Sequence, residues 1–284
     1  MIKLTAAIIL YHYDRKIINN AIELSKLFRY IIVFDNNEEM VTNSAIDELK
    51  KINNIFYFSK NKNMGLAYGL NYCCNRALKM GNDWIVLLDQ DSKLSKDGIQ
   101  KMECFILKED MDGTLGIAAP AIRDNWRVPK QQKVKRKDVV ITSGMFLKLS
   151  AFETVGLFNQ KLFLYYVDFD YCLRMREEKY RILQNMGVIM EHNCFDDQDT
   201  KGGYKVNKYT AIRHYYSIRN WLYMKQRFPG EKAFLEREEE NCKRRIEEMI
   251  YFDSGRCKKI LALLFGILDF YRKKFGKCGW RFLY

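Results

Sequence analysis

The sequence predicts an α/β fold with a helical carboxyl-terminal extension. Three observations carry that prediction. Short apolar, β-branched runs alternate with helically spaced segments as far as Asp89, polar residues gather at the carboxyl end of each run, and beyond Tyr209 the chain becomes helical and strongly charged.

Taken in order, Leu4 to Tyr11 (LTAAIILY) is an apolar run of strand length, Ile17 to Phe28 has helical spacing, and Ile31 to Phe34 is a second short run ending at Asp35. A polar helix is predicted near Ser44 to Lys51, a strand at Ile55 to Phe58, a helix from Gly65 to Met80 and a strand at Trp84 to Leu88. Continuous apolar runs joined by helices mark parallel strands buried on both faces. In such sheets ligands collect at the strands' carboxyl ends, where loops converge and helix amino termini point. Those ends carry Tyr11-His12, Asp35-Asn36-Asn37, Asn61 to Asn63 and Asp89-Gln90-Asp91.

The middle of the chain is less regular. A helix is predicted over Lys96 to Leu107 with Ser95 as its cap, a strand over Gly116 to Ile122, and a basic, polar connection from Asp124 to Lys137. Val139 to Leu149 reads as a strand carrying Ser143-Gly144, and Ser150 to Val155 as a short helix that Ser150 caps. Asp168 to Lys179 is helical again, and Arg181 to Met190 is the last strand, running into Glu191-His192. No repeat or low-complexity segment marks a boundary, so the shift in composition divides the chain into residues 1–209 and 210–284.

Composition narrows the function classes. A hydrophobic content of 48% supports a real core and excludes intrinsic disorder, while 48 Lys and Arg against 35 Asp and Glu give a formal charge of +13 that favours a polyanionic partner. The eight cysteines form no CxxC pair, and the amino terminus has no positively charged segment leading into a long apolar stretch, so reduced thiols, a cytosolic setting and no structural zinc are expected. Near the carboxyl end, the apolar run Ile260 to Leu268 is too short to span a bilayer. Flanked by Lys258, Lys259, Arg272, Lys273, Lys274 and Lys277, it suits a helix lying in an anionic membrane interface.

Asp89 and Asp91 end a buried run one residue apart. Two hard oxygen donors there suit Mg²⁺ or Mn²⁺, with substrate phosphates completing the octahedron; the alternative is that one of them caps the next helix, for which Ser95 is better placed. Asp168 and Asp170 form a second pair, read either as acids favoured at a helix start, with Arg174 in salt-bridge spacing, or with one of them as a general base. His192 is read as a structural histidine or a metal ligand, and Arg213 and Arg219 as helix surface or as forks for diphosphate oxygens.

These residues, in this order, resemble a family 2 glycosyltransferase of the GT-A fold, a Rossmann-like mixed sheet flanked by helices, and within it the bacterial rhamnosyltransferase-like branch. The resemblance covers residues 4 to 220. It implies a nucleotide contact for Tyr11 in "LYH", where His12 departs from the family pattern, and a pyrimidine-binding role for Asp35 in "VFDNN", with Asn37 beside it. Asn63, Gly65 and Ala67 of "NKNMGLAYGLN" would shape the nucleotide pocket. In "DQDS", Asp89 and Gln90 would serve the nucleotide diphosphate and Asp91 the Mg²⁺ or Mn²⁺, whose shell His192 would complete. Asp168 would be the catalytic base, with Asp170 and Arg174 in support; Val167 stands where relatives often carry another acid. Ser143, Gly144 and Arg219 join the acceptor or supporting set.

The implied reaction is inverting transfer of a sugar, dTDP-L-rhamnose being the leading donor, to a lipid-diphosphate-linked saccharide in cell-surface polysaccharide synthesis, by a cytoplasmic protein held on the inner face of the plasma membrane. Galactofuranose or glucose from a UDP donor remains open. A nucleotidyltransferase shares the paired acids and metal; a dinucleotide oxidoreductase lacks its glycine fingerprint in "LYHYDR"; and no nucleic-acid-binding module accompanies the charge.

Overall fold

Leu4–Leu10 (β1) is the strand around which the sheet is built: Ala6, Ala7, Ile8 and Leu10 are each at most 1% exposed, because both faces of the strand are covered. The computed structural model describes residues 2–38, 44–123, 134–191, 198–201, 204–207, 209–252 and 255–284. The described residues form two compact units, 1–158 with 171–193, and 159–170 with 194–284. The composition shift near Thr210 coincides with the start of a helix, for which Thr210 is the cap residue.

The first unit holds an eight-stranded sheet. Its strands are β1, β2 (Ile31–Asp35), β3 (Ile55–Ser59), β4 (Trp84–Asp89), β5 (Leu115–Arg123), β6 (Val134–Arg136), β7 (Met145–Lys148) and β8 (Arg181–Glu191), in the spatial order β3-β2-β1-β4-β7-β5-β8-β6. The β3-β2-β1-β4 half is parallel, as the helix-linked apolar runs predict. Its registers bring Leu10 beside Asp35, Asp35 beside Ser59 and Ile9 beside Asp89, so four strands end along one edge. β7 enters antiparallel between β4 and β5, which makes the sheet mixed.

Helices α1 (Arg15–Ser25), α2 (Ser44–Lys50) and α4 (Lys96–Glu109) bury Ile18, Leu24, Ile46, Leu49, Met102 and Ile106 in one cluster with Ile8, Leu10, Val33 and Val86 of the sheet. Helix α3 (Leu66–Lys79) packs on β1, β2 and β4. Asp14 caps α1 by accepting from Ile17 N–H, and Ser95 caps α4 by accepting from Gly98 N–H. Ser95 thus fills the capping role that was the alternative use for Asp89 or Asp91.

Two expectations are corrected. The strand expected over Val139 to Leu149 pairs only from Met145 to Lys148, because Gly144 takes the left-handed φ of 79° and gives its N–H to the Leu87 carbonyl at 2.8 Å, ending the extended run. Ser150 is not the cap of α5 (Leu149–Val155): the helix starts one residue before it, with Lys148 at the cap position. The connection from Asp124 to Lys137 also contains the edge strand β6, antiparallel to β8.

Helix α6 (Val167–Glu177) begins in the second unit and ends in the first. The rest of the second unit comprises the two-stranded pair β9 (Gln198–Lys201) and β10 (Tyr204–Asn207), and helices α7 (Ala211–Arg227), α8 (Lys232–Phe252) and α9 (Arg256–Tyr271). Helices α7 and α9 cross at Gly266. A Cβ on that residue would lie 2.5 Å from Ile218 Cγ2 and 2.7 Å from the Tyr215 carbonyl oxygen, so the crossing requires glycine. Asp269, 3% exposed, accepts from Tyr215 hydroxyl and Trp280 Nε1, both at 2.8 Å.

Candidate functional site

In the first unit, the polar residues at the sheet's carboxyl edge are joined by hydrogen bonds. Asp35, 3% exposed at the end of β2, is the hub: one carboxylate oxygen accepts from Asn37 N–H at 3.0 Å and Asn37 Nδ2 at 2.7 Å, and the other from the hydroxyls of Tyr13 at 3.0 Å and Tyr57 at 2.5 Å. Bonds of this kind to a charged group contribute about 1.5–3 kcal/mol each, which fixes the loops around the acid. Burial first, and Asp35 second, push both tyrosine hydroxyls above the ordinary phenol range, so they remain donors.

The network runs outward from this hub. Asn37 Oδ1 accepts His12 N–H at 3.0 Å, and Gln90 Oε1 accepts Tyr11 N–H at 2.8 Å, so β1 is tied to both of its neighbours beyond their last paired residues. Asn36 donates to Asn63 Oδ1 at 3.1 Å and accepts Met64 N–H at 2.8 Å, while Asn63 also accepts Gly65 N–H at 3.0 Å. Gly65, with φ 85°, is the cap residue of α3, and Ala67 is buried in that helix's first turn.

Asp89 to Ser92 forms a tight turn closed by Ser92 N–H on the Asp89 carbonyl at 3.0 Å, so Asp89, Gln90 and Asp91, all half-buried, occupy one corner of the edge. Asn20 Nδ2 of α1 secures the turn through the carbonyls of Gln90 at 2.9 Å and Ser92 at 3.0 Å. Below it the hydroxyls of Ser92 and Ser143 bond to each other, and Ser143 precedes left-handed Gly144. Arg174 belongs to the same unit, donating to the carbonyls of Val155 at 3.1 Å and Leu157 at 2.9 Å.

In the second unit, Asp168 and Asp170 occupy the first turn of α6, where the helix dipole favours acids. Asp168 is half-buried and accepts Phe169 N–H at 3.0 Å; Asp170 is 1% exposed, with Asn159 Nδ2 at 3.4 Å from its carboxylate. The chain reaches this turn through Phe163, Tyr165 and Tyr166 at φ 62°, 66° and 63°. Bulky side chains in that region cost on the order of 1–3 kcal/mol per residue, so the surroundings must hold the segment in place.

Arg219 is 0% exposed, and every nitrogen of its guanidinium is bonded inside the unit: Nε to Asn220 Oδ1, Nη1 to the Gly276 carbonyl and Tyr215 hydroxyl, and Nη2 to the carbonyls of Lys161 and Leu162. This corrects its reading as a diphosphate fork and leaves the supporting one. Arg213 is exposed. His192 lies outside the described residues.

Residues 8–177, more than half of the chain, match the model of Glycosyl transferase family 2. The chain belongs to that family. It is 27% identical over 233 residues to the dTDP-rhamnosyl transferase RfbF of Shigella flexneri, covering 76% of this chain and 77% of the relative. Among solved structures, this glycosyltransferase resembles the mannosyltransferase PcManGT from Pyrobaculum calidifontis in complex with GDP-Man and Mn²⁺, at TM-score 0.59 and 14% identity over 96% of this chain and 82% of that one. It also resembles GalNAc-T7 with UDP, GalNAc and Mn²⁺, at TM-score 0.56 and 12% identity over 88% of this chain, which spans 57% of GalNAc-T7. The mixed sheet with flanking helices is the GT-A glycosyltransferase fold.

Among the described residues no cluster of three His, Cys, Asp or Glu forms a cation cage. A two-carboxylate turn at the edge of the sheet still fits Mg²⁺ or Mn²⁺, because these ions take few protein ligands and fill their shell from substrate phosphates and water. Sequence reasoning missed Tyr13, Asn20, Tyr57 and Asn220. For Asn220 the available signal was a polar side chain at a buried helical position, and for Asn20 a polar side chain beside the buried Ile18 and Ala21; for Tyr13 and Tyr57 there was none, since each meets Asp35 across 22 positions.

Proposed function

We propose that this glycosyltransferase is an inverting, metal-dependent rhamnosyltransferase that uses dTDP-L-rhamnose and acts on a hydroxyl of a lipid-diphosphate-linked saccharide. The observation that carries the donor half is the bonded polar edge of the sheet, from Tyr11 through Asp35 and Asn63 to the Asp89–Ser92 turn. Likeness to the Shigella rhamnosyl transferase supports the choice of sugar.

In this reading Asp35 and Asn37 bind the base, with Tyr11, Asn63, Gly65 and Ala67 shaping its pocket. Asp89 and Gln90 serve the diphosphate, and Asp91, with His192, would hold the cation. A bound Mg²⁺ or Mn²⁺ supplies positive charge to the departing diphosphate. Asp168 removes the proton from the acceptor hydroxyl as that oxygen attacks the anomeric carbon opposite the leaving group, and one displacement inverts the configuration. Asp170, Arg174, Ser143, Gly144 and Arg219 are supporting residues.

Residues 210–284 form the membrane-associating region, placing the enzyme on the cytoplasmic face of the plasma membrane near its lipid-linked acceptor. Among the described residues no helix is long and apolar enough to cross a bilayer. Support for peripheral attachment comes from α9, whose Ile260, Leu261 and Leu264 are 43%, 43% and 56% exposed while Ala262, Gly266 and Asp269 face inward.

Thermal shift against a panel of nucleotide sugars, with and without Mn²⁺, tests the donor. Stabilisation by dTDP-L-rhamnose alone is the expected result, and preference for a UDP or GDP sugar would replace the rhamnosyl assignment. Release of nucleoside diphosphate marks glycosyl transfer; pyrophosphate would mark a nucleotidyltransferase.

A further inference from the structure

Three of the four residues from Phe163 to Tyr166 are aromatic and left-handed, and the carbonyls around them converge on two adjacent side chains of α7. Asn220 Nδ2 lies 2.9 Å from the Leu162 carbonyl oxygen, 2.7 Å from that of Leu164 and 3.0 Å from that of Tyr165. Arg219 Nη2 takes the carbonyls of Lys161 and Leu162 at 3.2 and 3.0 Å, and its Nε donates to Asn220 Oδ1 at 3.0 Å, which orients the amide with its NH₂ toward the strained segment. Both residues are 0% exposed. The guanidinium lies over the rings of Tyr215 and Tyr216, with its carbon 5.2 and 5.0 Å from the ring centres.

We infer that Arg219 and Asn220 are positioning residues for Asp168: they hold the backbone of residues 161–165 in the left-handed path that delivers the Asp168 carboxylate at the head of α6. The inference rests on the proposal that Asp168 is the base. Aromatic residues adopt this backbone only at a cost, so a segment that loses its carbonyl partners relaxes toward ordinary dihedrals. Tyr166 is two residues from Asp168, and its carbonyl accepts Asp170 N–H at 2.9 Å in the opening turn of the helix. Relaxation would therefore move the first turn of α6. A base displaced by about 1 Å loses on the order of 100-fold in rate while the donor pocket is untouched.

The test compares Asn220→Ala and Arg219→Lys with Trp280→Phe in the full-length enzyme. Trp280→Phe removes a different bond of the same unit, Nε1 to Asp269, and serves as the stability control. The expected result is a kcat lowered about 10- to 100-fold in Asn220→Ala with donor KM within about twofold of wild type, and faster hydrogen exchange at amides 163–168. Arg219→Lys, which keeps the charge but reaches fewer carbonyls, should fall between the two and is the decisive variant if Asn220→Ala does not fold. Trp280→Phe should lower Tm and leave kcat unchanged. A folded Asn220→Ala or Arg219→Lys at full kcat, or a loss of kcat in Trp280→Phe that matches its loss of Tm, overturns the positioning role. Asp168→Asn separates the two claims: if it is inert while Asn220→Ala runs at full speed, only the positioning fails, whereas if it turns over normally the base assignment falls and takes the positioning with it.

Discussion

The hydroxyls of Ser92 and Ser143, 51 positions apart in the chain, are bonded to each other and buried beneath the turn that carries Asp89 and Asp91. Each hydroxyl has the other as its partner, so removing one leaves a buried polar group unsatisfied, at a cost of about 1–3 kcal/mol. Ser143→Ala is expected to lower the urea midpoint accordingly and to raise donor KM, because the turn loses its floor. Gly144→Ala should be worse: the residue is left-handed, and a Cβ would sit 2.9 Å from Met190 Sδ and 3.1 Å from Pro120 Cγ. A Ser143→Ala protein with wild-type midpoint and KM would show that the pair supports nothing.

Asp91 and Asp168 are assigned different duties, so their variants should fail differently. Asp91→Ala is expected to abolish the Mn²⁺-dependent part of donor binding, and a chelator should reproduce that loss in the wild-type enzyme. Asp168→Asn keeps the size of the side chain and removes the proposed base. It should bind donor normally while turnover falls about 100- to 10,000-fold. Calorimetric titration with the nucleotide sugar, followed by rate measurement, distinguishes the two, and ordinary turnover in Asp168→Asn would remove the base assignment.

What the sequence makes legible here follows the range of the forces involved. Runs such as Leu4–Leu10 and Trp84–Asp89 advertise themselves because a strand covered on both faces must be apolar throughout, and the edge residues stand out because polarity resumes where the strand ends. Orientation is not written in that way: nothing local distinguishes Met145–Lys148, which runs antiparallel, from its parallel neighbours. The left-handed path of Phe163, Tyr165 and Tyr166 contradicts local preference, and the side chains that meet the carbonyls of this segment, Arg219 and Asn220, lie more than fifty positions later. Arg219 misled for the same reason, since a charged residue on a helix reads as surface until the carbonyls that enclose it are known.

Gly266 tests the packing of the second unit. With Tyr215 backbone 2.7 Å from where a Cβ would stand, α7 and α9 must separate to admit a methyl group, and overpacking of this kind costs about 1–3 kcal/mol. Gly266→Ala is expected to lower the denaturation midpoint by that amount. Gly279→Ala, where nothing lies within 4 Å, should stay within about 0.5 kcal/mol of wild type. Equal midpoints for the two variants would contradict the close crossing.

The same helix offers the last prediction. Asp269 interrupts the apolar run in the sequence, yet it points inward to Tyr215 and Trp280, so the outward stripe of Ile260, Leu261, Leu264 and Tyr271 carries no acid, and exposed Arg272, Lys273 and Lys274 follow directly. An apolar stripe bordered by cations fits an anionic interface, where each inserted leucine contributes about 1.5–3 kcal/mol. Deleting α9 would be a poor test, because Ala262 is fully buried and the helix packs on α7. Leu261→Ser combined with Leu264→Ser alters only exposed positions. It should weaken co-sedimentation with anionic vesicles more than tenfold while leaving Tm and activity on a soluble acceptor in place, and wild-type binding should fall as salt screens the lysines. Unchanged sedimentation of the double variant, or equal binding to neutral vesicles, would rule out this face as the membrane contact.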